Sequence, residues 1–236
     1  MDDHTPTPQN EEAAAAPDSG PSRKSIIFTS LGTLLVIVAA VLYVWGITYK
    51  PAYGADRTAN SAVSTSTLAN GQKVYTLRLA IQQVVGAGPN AAWLGYQTET
   101  PVPHPGTLLN LPKNALVTVV IHNYDSTTAP RNPFFSLVQG TVGGVEYVNG
   151  KRLTVMDPAL MSHTFTIPDF HVSVPMMGIP DNAPANAYET MKFTFRTPNK
   201  TGVFSWQCIV PCGWGLYGNG GPMSEIGFMQ GLITLS

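Results

Sequence analysis

Residues 191–213 read M-K-F-T-F-R-T-P-N-K-T-G-V-F-S-W-Q-C-I-V-P-C-G. Met191–Arg196 and Gly202–Gln207 are rich in β-branched and aromatic residues, and the T-P-N-K-T between them is turn punctuation. The pattern predicts two strands, the second running straight into a loop that holds both cysteines of the chain, Cys208 and Cys212. A further strand is predicted at Gly231–Leu235, after that loop. A thiol is usually buried filler or reactive, and placing both in one loop argues for a paired role. That role is open at this level: metal-binding thiolates, a disulfide, or cycling between the two.

Upstream, strands are expected at Lys73–Gln82, Ala115–His122 and His163–Ile167. Ala115–His122 (A-L-V-T-V-V-I-H) is nearly continuous in apolar residues, as suits a strand covered on both faces. No helical periodicity is evident in this part of the chain. Many short strands with Pro, Gly and Asn between them predict one all-β sandwich over residues 71–236 rather than two domains. Between Asn123 and Asp157, Gly143-Gly144 and Asn149-Gly150 tolerate positive φ and predict one or two hairpins.

The N-terminal quarter is different. Residues 1–24 are polar, with Pro, Ala and acidic residues, and read as a disordered tail. From Ile26 to Ile47 there is no charge; at about 1.5 Å per residue this run reaches roughly 33 Å, enough for a hydrocarbon core of about 30 Å. Tyr43, Trp45 and Tyr49 gather at its end, where aromatic rings favour the lipid boundary. The run exceeds a signal-peptide core of about 7–15 residues, so residues 25–48 are expected to be a transmembrane anchor. Arg23 and Lys24 abut it, which orients the N-terminus to the cytoplasm and the large domain outside the plasma membrane. Residues 49–70 read as a linker.

From Lys50 on, 11 basic and 9 acidic residues leave a net charge of about +2, with no basic stripe interleaved with aromatics. Nucleic-acid binding is therefore not expected. No serine–histidine–acid pattern and no close carboxylate pair suggests catalysis by this chain alone.

Imidazole and thiolate together suit copper or zinc, and a thioether tips the preference to copper. S-H-T-F-T-I-P-D-F (162–170) presents His163 at the opening of a strand, and G-F-M-Q-G (227–231) presents Met229 shortly after the cysteines. In the H-T-F-T-I-P-D-F stretch and the C-x-x-x-C-G core of residues 208–213, with Met229 after them, the chain resembles subunit II of haem–copper cytochrome c oxidases, the type with one membrane helix and an external cupredoxin domain. In that family an early segment reads H-S-F-x-I-P and a late loop reads C-x-E-x-C-G-x-x-H-G-F-M-P-G.

The resemblance implies a cupredoxin-like Greek-key sandwich with a binuclear copper (CuA) centre that accepts electrons from a soluble donor, cytochrome c or a small copper protein. It implies partnership with oxidase subunit I and other membrane subunits. Carried over position by position, the metal ligands are His163, Cys208, Cys212 and Met229. Three departures stand out. Ile226 occupies the place of the second histidine, Val210 replaces the glutamate between the cysteines, and about ten extra residues separate Gly213 from Ile226. Met223 and Glu225 in that insertion are possible replacement donors, as is His171 if the chain turns back at Pro168. One or two coppers are expected. The alternative is a copper-free structural subunit, or a periplasmic copper-handling protein, with a Cys208–Cys212 disulfide.

Overall fold

The computed structural model describes residues 23–48, 63–85, 93–99, 106–213 and 215–236. The chain divides into two units, 1–49 and 50–236.

The first unit contains one helix, α1 (Arg23–Thr48). Its side-chain exposure is described from 32 to 45, and ten large apolar side chains there are exposed, in two runs, Leu34–Val38 and Val41–Trp45. Among the described residues no helix is long and apolar enough to cross a membrane. The crossing expected over 25–48 therefore rests on the sequence. The expected tail lies outside the described residues except at Arg23 and Lys24, which begin α1.

The second unit is a β-sandwich. Its larger sheet has seven strands: β1 (Val63–Thr67), β2 (Lys73–Val85), β3 (Trp93–Thr98), β5 (Leu116–Asn123), β6 (Glu146–Val148), β7 (Lys151–Leu153) and β10 (Glu189–Arg196). The order is β1-β2-β5-β10-β6-β7, with β3 pairing the second half of β2. The smaller sheet runs β4 (Leu108–Leu111), β12 (Gln230–Leu235), β11 (Gly202–Gln207), β8 (Met161–Ile167), β9 (Val172–Met177). Pairing is antiparallel except for β2 with β5 and β4 with β12.

Alternating side chains of both sheets meet in one core. Leu77, Leu79 and Ile81 of β2 and Val117, Val119 and Ile121 of β5 face Phe165, Trp206 and Ile233 of the other sheet. Tyr96 stands edge-on to Trp206 at 4.9 Å, and Phe165 lies 5.6 Å from Phe193, so aromatic rings bridge the layers. Such a contiguous apolar core is what excludes water from the adjoining loop site.

All six strands expected from the sequence are present, each within two or three residues of its predicted ends. The Asn149-Gly150 hairpin is also present: Val148 pairs Lys151, and both turn residues have positive φ (49° and 81°), the geometry of a type I′ turn. Gly143-Gly144 instead closes a 3-10 turn, Val142–Gly144. The β region begins earlier than the expected linker end, because β1 lies within 49–70 and pairs β2 from Val63↔Leu77 to Thr67↔Lys73. The rest of that stretch up to residue 62 lies outside the described residues.

Where β10 ends, Thr197 ties the sheet together: its hydroxyl accepts the Ala115 N–H (2.8 Å) and donates to the Pro112 carbonyl (2.7 Å). Thr197 is buried, so Thr197→Val keeps the shape but strands the Ala115 donor. A loss of about 2 kcal/mol in urea unfolding is expected; an unchanged midpoint and slope would show that these bonds are replaced.

Candidate metal centre

Three strand ends converge at one rim of the sandwich. Gln207, last in β11, pairs Gln230 at the start of β12 and Thr166 in β8. The ladder continues one step further, with the Cys208 N–H donating to the Met229 carbonyl at 2.8 Å. The cysteine loop thus leaves the sheet directly beside the strand that carries His163.

The result is a compact donor cluster. His163, Cys208 and Cys212 offer ligand atoms all within 4.8 Å of one another. His163 Nδ1 is 3.9 Å from Cys208 Sγ, and the two sulfurs are 3.6 Å apart. Both thiols are free, and their separation is far beyond an S–S bond of about 2.05 Å. His163 and Cys208 are buried to 0 % and 1 % exposure, and Cys212 is half-buried at the rim.

Thr164 builds the floor. Its N–H points at Cys208 Sγ (3.4 Å), its hydroxyl accepts the Ile209 N–H (2.9 Å), and its carbonyl accepts the Tyr96 hydroxyl (3.0 Å). Burial and the neighbouring thiols raise the Tyr96 pKa, so it stays a neutral donor. The Val210 carbonyl lies 3.5 Å from Cys208 Sγ.

Behind the imidazole stands Asp125, whose Oδ2 is 2.9 Å from His163 Nε2. Burial would lower the His163 pKa, but the hydrogen bonds to Asp125 and Cys208 outweigh it and raise it to about 9. Burial would likewise raise Asp125, yet its bond to His163 holds the carboxyl low. Burial also pushes the Cys208 thiol up, but hydrogen bonds from Cys212 and His163 hold it well below its ordinary value. Cys212 is pushed up, first by donating its own hydrogen bond to Cys208, then by burial. The metal-free cluster therefore alternates in charge: carboxylate, imidazolium, thiolate, neutral thiol.

These donors fit a metal ion. Bonds of about 2.3 Å to sulfur and 2.0–2.1 Å to nitrogen at tetrahedral angles require S···S near 3.8 Å and S···N near 3.5 Å. The Cys208–Cys212 and Cys208–His163 separations, 3.6 and 3.9 Å, differ from these by a few tenths of an ångström, and the Cys212–His163 separation is within 4.8 Å. Soft sulfur donors with an imidazole suit copper or zinc.

Of the other candidate donors, Met223 reaches the cluster, with its Sδ 3.1 Å from Cys212 Sγ. Met229 is buried, with its N–H donating to the Pro222 carbonyl (3.1 Å) and its own carbonyl occupied by Cys208. Ile226 bridges Gln230. His171 ends a 3-10 turn, Pro168–Phe170, so the chain does turn at Pro168, but His171 is not in the donor group. His122 pairs with Glu99 and lies 4.5 Å from the Tyr188 ring. His4 and His104 lie outside the described residues. Trp206 is core, its indole N–H donating to the Thr107 carbonyl at 3.0 Å, and Trp93 packs on Phe228.

Two participants escape sequence reasoning. Asp125 orients the imidazole, whereas Asp157 and Asp169, close to His163 in the chain, sit in 3-10 turns. Thr164 follows His163 directly, and its burial in β8, which the structure alone shows, is what turns its hydroxyl and N–H to the cluster.

No protein-family model and no curated protein matches the chain. Among solved structures it is similar, at 14 % identity and a TM-score of 0.32, to a chain of a heme-copper terminal oxidase dimer, covering 91 % of this chain and 100 % of that one. It is also similar to reduced rusticyanin (14 %, TM-score 0.30, 75 % and 91 % covered) and to rusticyanin from Thiobacillus ferrooxidans (14 %, 0.30, 75 % and 88 %). Likenesses at this level leave the centre to be read from its own residues.

Proposed function

We propose that the chain is a membrane-anchored, cupredoxin-like subunit of a haem–copper terminal oxidase that holds copper and takes part in electron transfer from a soluble donor. The observation that carries this reading is the buried meeting of one imidazole and two sulfurs, backed by a carboxylate, in the two segments whose sequences resemble the oxidase motifs. The apolar run 26–47 supports an anchor, with the N-terminus cytoplasmic and the sandwich extracytoplasmic.

Bound there, copper supplies a one-electron redox couple. The protein's part is to hold the donors still. Asp125 accepts the His163 Nε2 proton, which fixes the ring and leaves Nδ1 facing the sulfurs. Thr164 sets the Cys208 sulfur from below, and the core aromatics keep water from that side. To serve as ligands, His163 Nδ1 and Cys212 would each have to give up a proton, so copper affinity is expected to rise with pH.

The test is direct. The full chain in detergent is titrated with copper while visible absorption, metal stoichiometry and free thiols are measured, and a multi-span haem protein is sought among its co-purifying partners. Intense thiolate–copper bands and a haem partner support the proposal. A chain that takes up no copper and has no titratable thiols sinks it in favour of a structural, disulfide-bonded subunit. Asp125→Asn is expected to weaken copper binding by about 10–100-fold while leaving the stoichiometry intact; an unaltered affinity would show that Asp125 is incidental.

A further inference from the structure

The insertion after Gly213 is not a free excursion. Gly213 donates its N–H to the Gly218 carbonyl at 2.7 Å, and Gly218 packs on Pro211. Two 3-10 turns follow, Leu216–Gly218 and Gly221–Ser224. The buried Pro222 accepts the Met229 N–H, and Met229 in turn accepts the Cys208 N–H. The insertion is thus fastened to the cysteine loop at its start and to the β12 entry at its end.

Met223 is the residue this folding delivers. Its Sδ lies 3.1 Å from Cys212 Sγ, closer than the two thiols are to each other. Its position is set by backbone as well as by packing: a Cβ on Gly213 would meet the Gly220 carbonyl at 2.1 Å and Met223 Cγ at 2.9 Å. Only glycine lets the loop close this far.

Resting on the copper-binding reading above, we infer that Met223 supplies the fourth ligand, so that His163, Cys208, Cys212 and Met223 hold a single copper ion. Two thiolates, an imidazole and a thioether complete a four-coordinate, sulfur-rich set that suits copper. A second ion would have to share both thiolates and find further donors. Among the described residues the donor group contains one histidine, and Ile226 stands where a second would be needed. The insertion and the missing histidine are then one change: the loop that displaces the old ligand position brings a new sulfur.

The experiment uses the full chain with selenomethionine in place of methionine, loaded with copper. Copper per chain is counted, and copper-edge X-ray absorption is searched for a copper–selenium path. One copper per chain is expected, with a selenium path that is lost in Met223→Leu while copper remains bound, and is weakened in Gly213→Ala. Two coppers per chain, the absence of any selenium path in the unmutated chain, or its survival in Met223→Leu each overturns the inference while copper binding stands. Absence of copper altogether overturns the underlying reading and this one with it. The unmutated chain decides the copper count and whether any selenium is bound, and Met223→Leu decides which methionine supplies it.

Discussion

Cys208→Ser should remove any thiolate–copper absorption and weaken copper binding by about a hundredfold or more. Apparent binding free energies of about 10–16 kcal/mol for four-ligand sulfur-rich sites average roughly 3 kcal/mol per ligand, and each 1.4 kcal/mol is about tenfold. Cys208 stands at the centre of the cluster: it is the sulfur nearest His163, it contacts Cys212, and it receives the Thr164 N–H. Serine brings a shorter, harder, essentially unionised donor to a position that is 1 % exposed. Its loss also leaves the His163 imidazolium without its thiolate neighbour, so the metal-free protein should be destabilised as well. Cys212→Ser should likewise abolish the colour, with a smaller stability cost because Cys212 is half-exposed at the rim. Copper titration followed by absorption and a denaturant melt of each variant checks the order. Colour persisting in both variants would place the metal elsewhere.

The fold was largely legible because its central strands are strongly patterned. Leu116–Asn123 and Glu189–Arg196 pair along their full lengths, and both read as strands from their β-branched and aromatic content. Val172–Met177 did not, because V-S-V-P-M-M carries Pro175. The strand lies at the edge of its sheet, where a missing N–H is tolerated. Trp93–Thr98, interrupted by Gly95, and the three-residue strands of the Asn149-Gly150 hairpin are too short or broken for periodicity to register.

The centre divides in the same way. Cys208, Cys212 and His163 come from two local motifs, and local motifs are visible in sequence. Asp125 reaches His163 across 38 residues of chain through a tertiary contact that no spacing announces. Met223 sits in a glycine-rich loop whose path depends on hydrogen bonds to Pro222, Gly218 and Gly220. Loops without periodicity carry no readable direction, so the sequence offers Met223 only as one candidate beside Glu225 and His171, and the placed backbone is what brings its sulfur to Cys212.

Glu146→Gln should stabilise the protein at neutral pH and not at pH 4.5. Glu146 lies on β6 between exposed Tyr147 and the 3-10 turn, and strand alternation sends it inward with Val148. It is fully buried, and neither carboxylate oxygen has a hydrogen-bond partner among the described residues. Burial pushes its pKa from 4.5 up to about 8. Below pH 4.5 the group is neutral in both folded and unfolded chains and contributes no pH dependence. Between pH 4.5 and 8 the unfolded chain has lost this proton while the folded one retains it. Folding then requires proton uptake, and stability falls by about 1.4 kcal/mol per pH unit, reaching about 3 kcal/mol at pH 7. Glutamine keeps the shape and cannot ionise, so the variant lacks this slope. Denaturant unfolding of the full chain in detergent at pH 4.5 and pH 7 separates the cases. A stability difference between the two proteins that is the same at both pH values would mean that the carboxylate gains solvent or a partner, and that its burial does not govern its charge.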